Sequence, residues 1–245
     1  MLLITRRESR QLRRYGHLST GNYNPRTARL YTDIGHLTAN PRITADMAQV
    51  FQHLASQSRL SGLKSLIVAP FTLHKRMMEH VEAAAAAARA GKPARIVLKM
   101  NALTDEALVL ALAEAGRAGR DDRPDRARRL HRAGAGAGVL RQRAGALDRS
   151  GAFSSTRGCS TFASATTRAL YLSSADWMGR NMFRRIELAW PVDDPAHAAA
   201  ADRRDASLPY LHDERDAWQM MPGGHYERVA RAARQGWPLG ATGVE

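Results

Sequence analysis

Two short stretches of this chain could do chemistry on an oxyanion. Leu18-Ser19-Thr20-Gly21-Asn22-Tyr23 is echoed by Leu172-Ser173-Ser174-Ala175-Asp176-Trp177. Each combines hydroxyl side chains, a small residue and an Asn or Asp. Arg26 stands four residues after Asn22, and Arg180 stands four residues after Asp176. At the end of a strand such a set presents side-chain donors and backbone N–H groups to an anion. Guanidinium forks suit phosphate oxygens. With the nearby Arg29, the candidate phosphate-site residues are therefore Thr20, Gly21, Asn22, Arg26, Arg29, Ser174, Asp176 and Arg180. The plain alternative is two ordinary strand-to-turn corners with solvated arginines. Two copies, each followed by an arginine, point to a duplicated domain with one site between the halves.

Composition bounds what such a site serves. The 245 residues carry 37 Lys plus Arg against 23 Asp plus Glu, a net charge of +14. This points to an anionic partner: nucleic acid, nucleotide, polyphosphate or a membrane surface. One cysteine excludes a disulfide framework and a Cys-type zinc site. No two histidines share ligand spacing with a carboxylate on one helix face, so no metal site is expected. No apolar run reaches the roughly 18 residues of a membrane span. Leu2 to Ile4 followed by Arg6-Arg7 is not a signal peptide. A cytoplasmic, soluble chain is expected.

The elements that must position the two corners can be read from the spacing. Leu2 to Thr5 and Arg14 to Ser19 read as strands. Thr44 is placed to cap a helix whose Met47, Val50, Phe51 and Leu54 fall at i, i+3, i+4 and i+7. Ser65 to Ala69 is a short apolar strand. A helix follows Pro70, with His74 packing in or capping its first turn. Its Met77, Met78 and Val81 share a face, and it stops at Gly91. Arg95 to Met100 is a buried-type strand. Thr104 caps the next helix, with Leu108 and Leu112 inward, ending near Gly119. Ala169 to Ser173 and Arg185 to Trp190 complete the strands. Strand, helix, strand, helix with tight connections predicts an α/β layer structure with parallel strands.

Between Arg120 and Arg168 the text changes. It holds 11 Arg, no Lys and four acids, and no Ile, Tyr, Trp or Met. Its apolar residues have neither helical nor strand period. Such a composition buries too little apolar surface to offset chain entropy, so an irregular basic segment is expected. Cys159 lies inside it and is expected to carry no function.

Longer motifs carry a resemblance. Tyr15-Gly16-His17-Leu18-Ser19-Thr20-Gly21-Asn22-Tyr23-Asn24-Pro25-Arg26-Thr27-Ala28-Arg29-Leu30-Tyr31-Thr32-Asp33 resembles the bacterial polyphosphate kinase family of the long-chain polyphosphate synthase type. So do Val68-Ala69-Pro70-Phe71, Leu98-Lys99-Met100-Asn101-Ala102-Leu103 and Tyr171-Leu172-Ser173-Ser174-Ala175-Asp176-Trp177-Met178. The match covers Leu2 to Gly119 and Ala169 to about Val229. The resemblance implies two phospholipase-D-like domains, in agreement with the echo. It places the end of the first at 1–58, the second at 59–229 and a tail at 230–245. The first domain is then truncated, and the second is interrupted by the irregular Arg-rich segment. The resemblance also implies transfer of the terminal phosphate of ATP to polyphosphate through a phosphohistidine, with Mg2+. ATP, ADP, inorganic polyphosphate and further copies of the chain are the implied partners.

The departures from the family pattern bear on activity. The family's phosphate-accepting histidine lies in an Ile-His-Ala-Lys type motif before the strand at Leu2, and the sequence lacks it. Two arginines associated with magnesium in the family are missing too. Inside the Arg-rich segment the family has an Ile-Asp-Leu-Ile-Val-Arg-Gly strand and a Glu-His-Ser-Arg-Val-Phe-Tyr-Phe strand, whose Arg and His bind nucleotide phosphates and serve catalysis. Neither occurs here. Codons for the first motif, read out of frame, give Arg-Pro-Asp-Arg-Ala-Arg, which is Arg123 to Arg128. Codons for the second give Thr-Arg-Gly-Cys-Ser-Thr-Phe, which is Thr156 to Phe162. A frame-shifted segment is the reading preferred to a natural basic linker. A second, shorter one is read at His197 to Asp205.

Among surviving residues, Tyr31 matches the family tyrosine that lies against adenine. His17 matches a family histidine near the site, as a second catalytic group or a structural hydrogen-bonding residue. The expected function is that of a polyphosphate kinase fragment without its nucleophile, and inactive alone. The alternatives are a non-catalytic nucleotide- or polyphosphate-binding remnant, or a basic nucleic-acid-binding protein. Against nucleic acid, half the net charge lies in the Arg-rich segment and no stacking platform is interleaved with it. A phospholipase-D-like nuclease needs His-x-Lys motifs, and the sequence has none.

Overall fold

The structure is a computed structural model that describes residues 1–29, 33–118, 159–164, 167–200, 218–220 and 226–228. Strands β1 (Leu2–Glu8), β2 (Gln11–Ser19) and β3 (Gly35–Thr38) form an antiparallel sheet in that order. Helix α1 (Pro41–Ser56) follows. Strand β4 (Ile67–Ala69), helix α2 (Leu73–Arg89), strand β5 (Ala94–Lys99) and helix α3 (Glu106–Ala118) come next. Then come β6 (Cys159–Ser164), β7 (Thr167–Ser173), α4 (Gly179–Phe183), β8 (Glu187–Pro191) and α5 (Pro195–Ala200). Strands β9 (Trp218–Met220) and β10 (Tyr226–Arg228) pair with each other.

The second sheet runs β4-β8-β7-β6-β5, and every adjacent pair is antiparallel. This corrects the expectation of parallel neighbours. β4, β5 and β7 do share a direction, as a β-α-β reading requires. Three strands from later in the chain separate β4 from β5. Because β4, β5 and β7 point the same way, the loops that leave them emerge at one end of the sheet.

The pleat divides this sheet into two apolar faces. Ile67, Ala69, Ile96, Phe162 and Ala189 pack with α2 and α3 through Leu73, Met77, Val81, Leu108 and Leu112. Val68, Leu170, Leu172, Leu188 and Trp190 face the other way, toward Leu18 of β2 and Ile43, Met47 and Val50 of α1. Helix α1 and the first sheet therefore cover one face, and α2 with α3 cover the other. Each fully buried leucine or valine contributes roughly 1.5–3 kcal/mol.

Asp46 ties the two units together. It is 1% exposed, and its Oδ2 accepts the backbone N–H groups of Lys64 (2.9 Å), Ser65 (2.6 Å) and Leu66 (2.9 Å). The chain entering β4 is thereby fixed to α1.

Other expectations are corrected. The N-cap of α1 is Asn40, whose Oδ1 accepts from Arg42 N at 2.9 Å, with Pro41 at the first helical position. Thr44 lies inside the helix and donates its hydroxyl to the Asn40 carbonyl. Phe51 and Leu54 are exposed at 39% and 52%, so only Met47 and Val50 of that set are buried. Asp105, rather than Thr104, caps α3, because its Oδ1 accepts Leu108 N at 3.1 Å. The first apolar strand is shorter than expected: Ser65 is held by Asp46, and β4 begins at Ile67.

The Arg-rich segment is not irregular throughout. Cys159 to Ser164 forms β6, paired from Cys159↔Lys99 to Ser164↔Ala94 on one side and to Thr167–Leu172 on the other. The strands at Arg95 and Ala169 thus find hydrogen-bonding partners within it. Ser160 and Phe162 are buried at 3% and 5%. Residues 119–158 and 165–166, and residues 201–205 of the second suspected scramble, lie outside the described residues.

Candidate functional site: two matched strand corners

The two echoed stretches fold alike. In the first, Ser19 Oγ accepts Gly21 N at 3.1 Å. Thr20 donates its N–H to the Ile34 carbonyl (3.1 Å) and accepts Ile34 N on its Oγ1 (3.0 Å). In the second, Ser173 Oγ accepts Ala175 N at 3.0 Å. Ser174 donates its N–H to the Leu188 carbonyl (2.9 Å) and accepts Leu188 N on its Oγ (3.1 Å). The hydroxyl-to-backbone bond spans 14 residues in both copies. Leu18 and Leu172, which lead into the corners, bury in the same apolar cluster. Both corners therefore leave one shared core.

In each corner the hydroxyls fix the backbone. Thr20 is 1% exposed, with its oxygen engaged by Ile34. Ser174 Oγ also donates to Glu187 Oε2 at 2.6 Å. Asp176 Oδ1 accepts Asn101 N at 2.9 Å, which joins the second corner to the loop after β5. Thr104 N and Asp105 N both donate to the Trp177 carbonyl. Gly21 is required: a Cβ there would fall on the Asp33 carboxylate. Asn22, Arg26, Arg29 and Arg180 are exposed. Asn24 Oδ1 accepts Arg26 N (2.9 Å) and Thr27 N (3.2 Å), which sets the short 3-10 turn Thr27–Arg29 that carries Arg29. Tyr31 lies outside the described residues.

His17 has a defined surrounding. Tyr23 donates its hydroxyl hydrogen to the His17 carbonyl (3.0 Å), while its oxygen lies 2.8 Å from His17 Nδ1. One hydroxyl hydrogen cannot serve both contacts. Nδ1 therefore carries the proton toward Tyr23, and in the neutral ring Nε2 keeps its lone pair. Nε2 faces Gly35, where a Cβ would stand 2.7 Å away. Partial burial raises the Tyr23 pKa above its ordinary 10.0, so the phenol keeps its hydrogen at neutral pH. An imidazole held this way can accept a proton at Nε2, and once protonated there it can donate to a phosphate oxygen. His36, beside it in β3, is held below its ordinary 6.5 by burial first, then by His197 and His17.

Several residues at the same end of the sheet escaped the sequence reading. Glu187 is 8% exposed and accepts from Ser174 and, at 2.9 Å, from Asn181 Nδ2. Its signal was positional: it stands 13 residues after Ser174, as Asp33 does after Thr20. His74, which the sequence places in the first turn of α2 as a packing or capping residue, has its Nε2 3.1 Å from the buried Asp105 Oδ1 and so links the starts of α2 and α3. Among the described residues, no three His, Cys, Asp or Glu side chains group as a metal site.

The family profile "Polyphosphate kinase C-terminal domain 1" matches residues 1–60. The profile "Polyphosphate kinase C-terminal domain 2" matches residues 66–122 and 150–237. The chain belongs to the polyphosphate kinase family. Its second profile match skips 123–149, the core of the Arg-rich segment. Polyphosphate kinase of Burkholderia multivorans is 41% identical over 233 residues, covering 93% of this chain and 34% of that protein. Polyphosphate kinase of Burkholderia ambifaria is 42% identical over the same shares. The chain thus spans about a third of the length of these curated relatives. The crystal structure of polyphosphate kinase from Porphyromonas gingivalis superposes with a TM-score of 0.69 at 23% identity, over 92% of this chain and 34% of that one. That likeness carries the mixed helix-and-sheet fold.

Proposed function

We propose that these residues are the C-terminal part of a polyphosphate kinase that moves the terminal phosphate of ATP to a polyphosphate chain through a phosphohistidine. The observation that carries this reading is the pair of corners with the same hydrogen bonds at the same offsets. It favours two phospholipase-D-like halves, at 1–58 and 59–229, followed by a tail at 230–245. Arg26, Arg29 and Arg180 are the groups available for phosphate oxygens. Thr20, Gly21, Asn22, Ser174 and Asp176 shape the backbone that presents them. Tyr31 lies against the adenine, and His17 offers Nε2 to a proton, after which the ring can donate to a phosphate oxygen. ATP, ADP and polyphosphate are the ligands, and copies of the chain self-associate. The cytoplasm, or the cytoplasmic side of the inner membrane, is the place. The described residues give no carboxylate cluster for Mg2+, and no step here is routed through a metal.

The 245 residues by themselves do not make polyphosphate. Their sequence contains no Ile-His-Ala-Lys motif, and removal of a covalent nucleophile removes the intermediate itself. The Arg-rich stretch is read as a shift of frame over 120–168. Resequencing of the coding DNA through those codons tests it: the Ile-Asp-Leu-Ile-Val-Arg-Gly and Glu-His-Ser-Arg-Val-Phe-Tyr-Phe strands are expected either directly, once extra bases are gone, or in another frame; DNA that encodes neither strand in any frame overturns it.

The functional test uses the purified chain with labelled ATP and Mg2+. Binding of ATP without labelled polymer is expected, and Tyr31→Ala weakens that binding by about 1–3 kcal/mol, the range for a lost aromatic stack. Long labelled polymer formed by the chain alone overturns the inactivity. Equal ATP affinity of Tyr31→Ala and parent overturns the carried-over role of Tyr31.

A further inference from the structure

The stretch Arg6-Arg7-Glu8-Ser9-Arg10-Gln11-Leu12-Arg13-Arg14 holds five arginines against one glutamate, a net of +4 in nine residues. It forms the outer half of the β1–β2 hairpin. Leu3 and Leu18 hold the inner half on the body of the protein. Beyond them, residues 5–7 and 9–14 are exposed, so the ribbon stands out with both faces in solvent.

The register sets where the charges go. Arg6 lies directly opposite Arg13, a like-charge cross-strand pair of the kind that destabilises a ribbon. Glu8 lies 3.6 Å from each of them and is their shared counter-charge. On the opposite face are Arg7, paired with Leu12, and Arg14, paired with Thr5. No salt bridge among the described residues engages Arg7, Arg10 or Arg14. The tip adds a second cost. Ser9 and Arg10 take φ of 45° and 78°, positions that glycine or asparagine fills more easily in a two-residue hairpin turn. An arginine thus occupies the tip at a backbone cost, beside unneutralised neighbours.

We propose that this ribbon is a docking arm for a linear phosphate polymer, separate from the two corners. A chain of phosphates would neutralise the opposed arginines, and each guanidinium can chelate two phosphate oxygens. The ribbon does not suit nucleic-acid bases. Its one aromatic, Tyr15, donates to Glu8 at 2.9 Å and carries the Arg13 guanidinium 5.9 Å above one face of its ring, and a single aromatic makes no platform for successive bases. The choice of inorganic polyphosphate as the polymer rests on the family reading above. The cationic arm itself rests on the ribbon alone.

The experiment titrates the full chain with medium-length sodium polyphosphate at several salt concentrations. Arg7→Gln/Arg14→Gln is compared with Arg141→Gln/Arg143→Gln, which removes the same charge elsewhere. Loss of about tenfold or more in affinity is expected for the ribbon pair and less than about twofold for the other. The salt slope should become shallower by roughly 0.7 or more per arginine removed, 0.7 being the value for single-stranded nucleic acid, because a polyphosphate chain carries its charges more closely spaced. Arg10→Gly should raise the melting temperature while weakening polyphosphate binding, which separates binding from folding. Equal loss in both double variants overturns the proposal, because the attraction is then only overall charge. Tighter binding of duplex DNA than of polyphosphate, abolished by the ribbon pair, also overturns it. Polyphosphate binding that depends on the ribbon in a chain that fails to bind ATP sustains the arm and overturns the nucleotide reading.

Discussion

Thr20 and Ser174, 154 positions apart, hold the same place in their two corners: each exchanges two hydrogen bonds with the residue 14 positions on. A shared offset of this kind follows from a shared local fold, in which a strand end and a returning strand are locked by one hydroxyl. Removing that hydroxyl leaves a part-buried backbone N–H without its partner, at about 1 kcal/mol, the low end of the range for an unmet donor. Thr20→Val and Ser174→Ala are expected to destabilise by this amount each in urea unfolding. Ser174→Ala should cost more, because Glu187 loses a 2.6 Å partner as well. A neutral effect in either would remove the hydroxyl from the lock.

Asp46 makes a different kind of lock. Its carboxylate gathers three consecutive N–H groups between the two units. Asp46→Ala is expected to destabilise the protein by roughly 3 kcal/mol, since several buried donors are left unmet. The same variant should expose the chain around Arg59 and Lys64 to trypsin. Mass spectrometry of the first cleavage products checks this; an unchanged cleavage pattern would mean that packing alone holds the segment.

Close approach makes two glycines unequal. At Gly21 a methyl group meets the Asp33 carboxylate, while at Gly35 it meets the Nε2 edge of His17 at 2.7 Å. Gly35→Ala is expected to move the His17 ring, visible as a shift of its imidazole proton resonances, with a stability loss of about 1 kcal/mol. Gly21→Ala should cost more, about 1–3 kcal/mol, the range for overpacking in a well-filled site. Thermal melts of the two variants decide the order.

Acid should weaken the fold. His36 and His80 are both held below the ordinary 6.5, mainly by burial, with Arg76 as a further cause at His80. The unfolded chain takes up these protons near 6.5, while the folded chain takes them up only at lower pH. Unfolding therefore binds protons, and stability falls as pH drops below about 6.5 until the folded-state values are passed. Urea midpoints between pH 5 and pH 7.5 read the slope. His80→Gln, which takes the ring from Tyr171 and Phe162, should flatten part of it whatever it does to the midpoint at neutral pH.

Much of this architecture was legible because the first half punctuates itself clearly. The strands at Leu2 and Arg14, the helix around Met47 and Val50, and the helix ending at Gly91 all carry periodicity and stop signals. The caps were misread by a few residues because Asn40-Pro41 and Asp105 compete with nearby threonines, and only geometry chooses among them. Strand direction was hidden for a different reason. A β-α-β pattern fixes that β4 and β5 point alike, but their neighbours come from far along the chain. Strand β6 was invisible because Cys-Ser-Thr-Phe-Ala-Ser has little apolar pattern. The strands on either side supply it with backbone partners regardless of side-chain type. The corners were readable as residues, but their shared 14-residue lock was not, since hydrogen bonds to backbone leave no spacing of side chains to find.

The order of the large sheet has a consequence for synthesis. When residues up to Ala118 have left the ribosome, β4 and β5 exist only as the future outer edges of a sheet whose middle is unmade. Lys99 pairs with Cys159, and Ala69 with Glu187. For the whole interval α2 and α3 have only β4 and β5 to cover and lack the middle strands that carry Phe162 and Ala189. Long loops must close before any of those contacts form, and nascent chains in that condition associate with one another. Soluble yield should therefore depend on holdase chaperones and on slow translation, more than the stability of the finished fold would suggest.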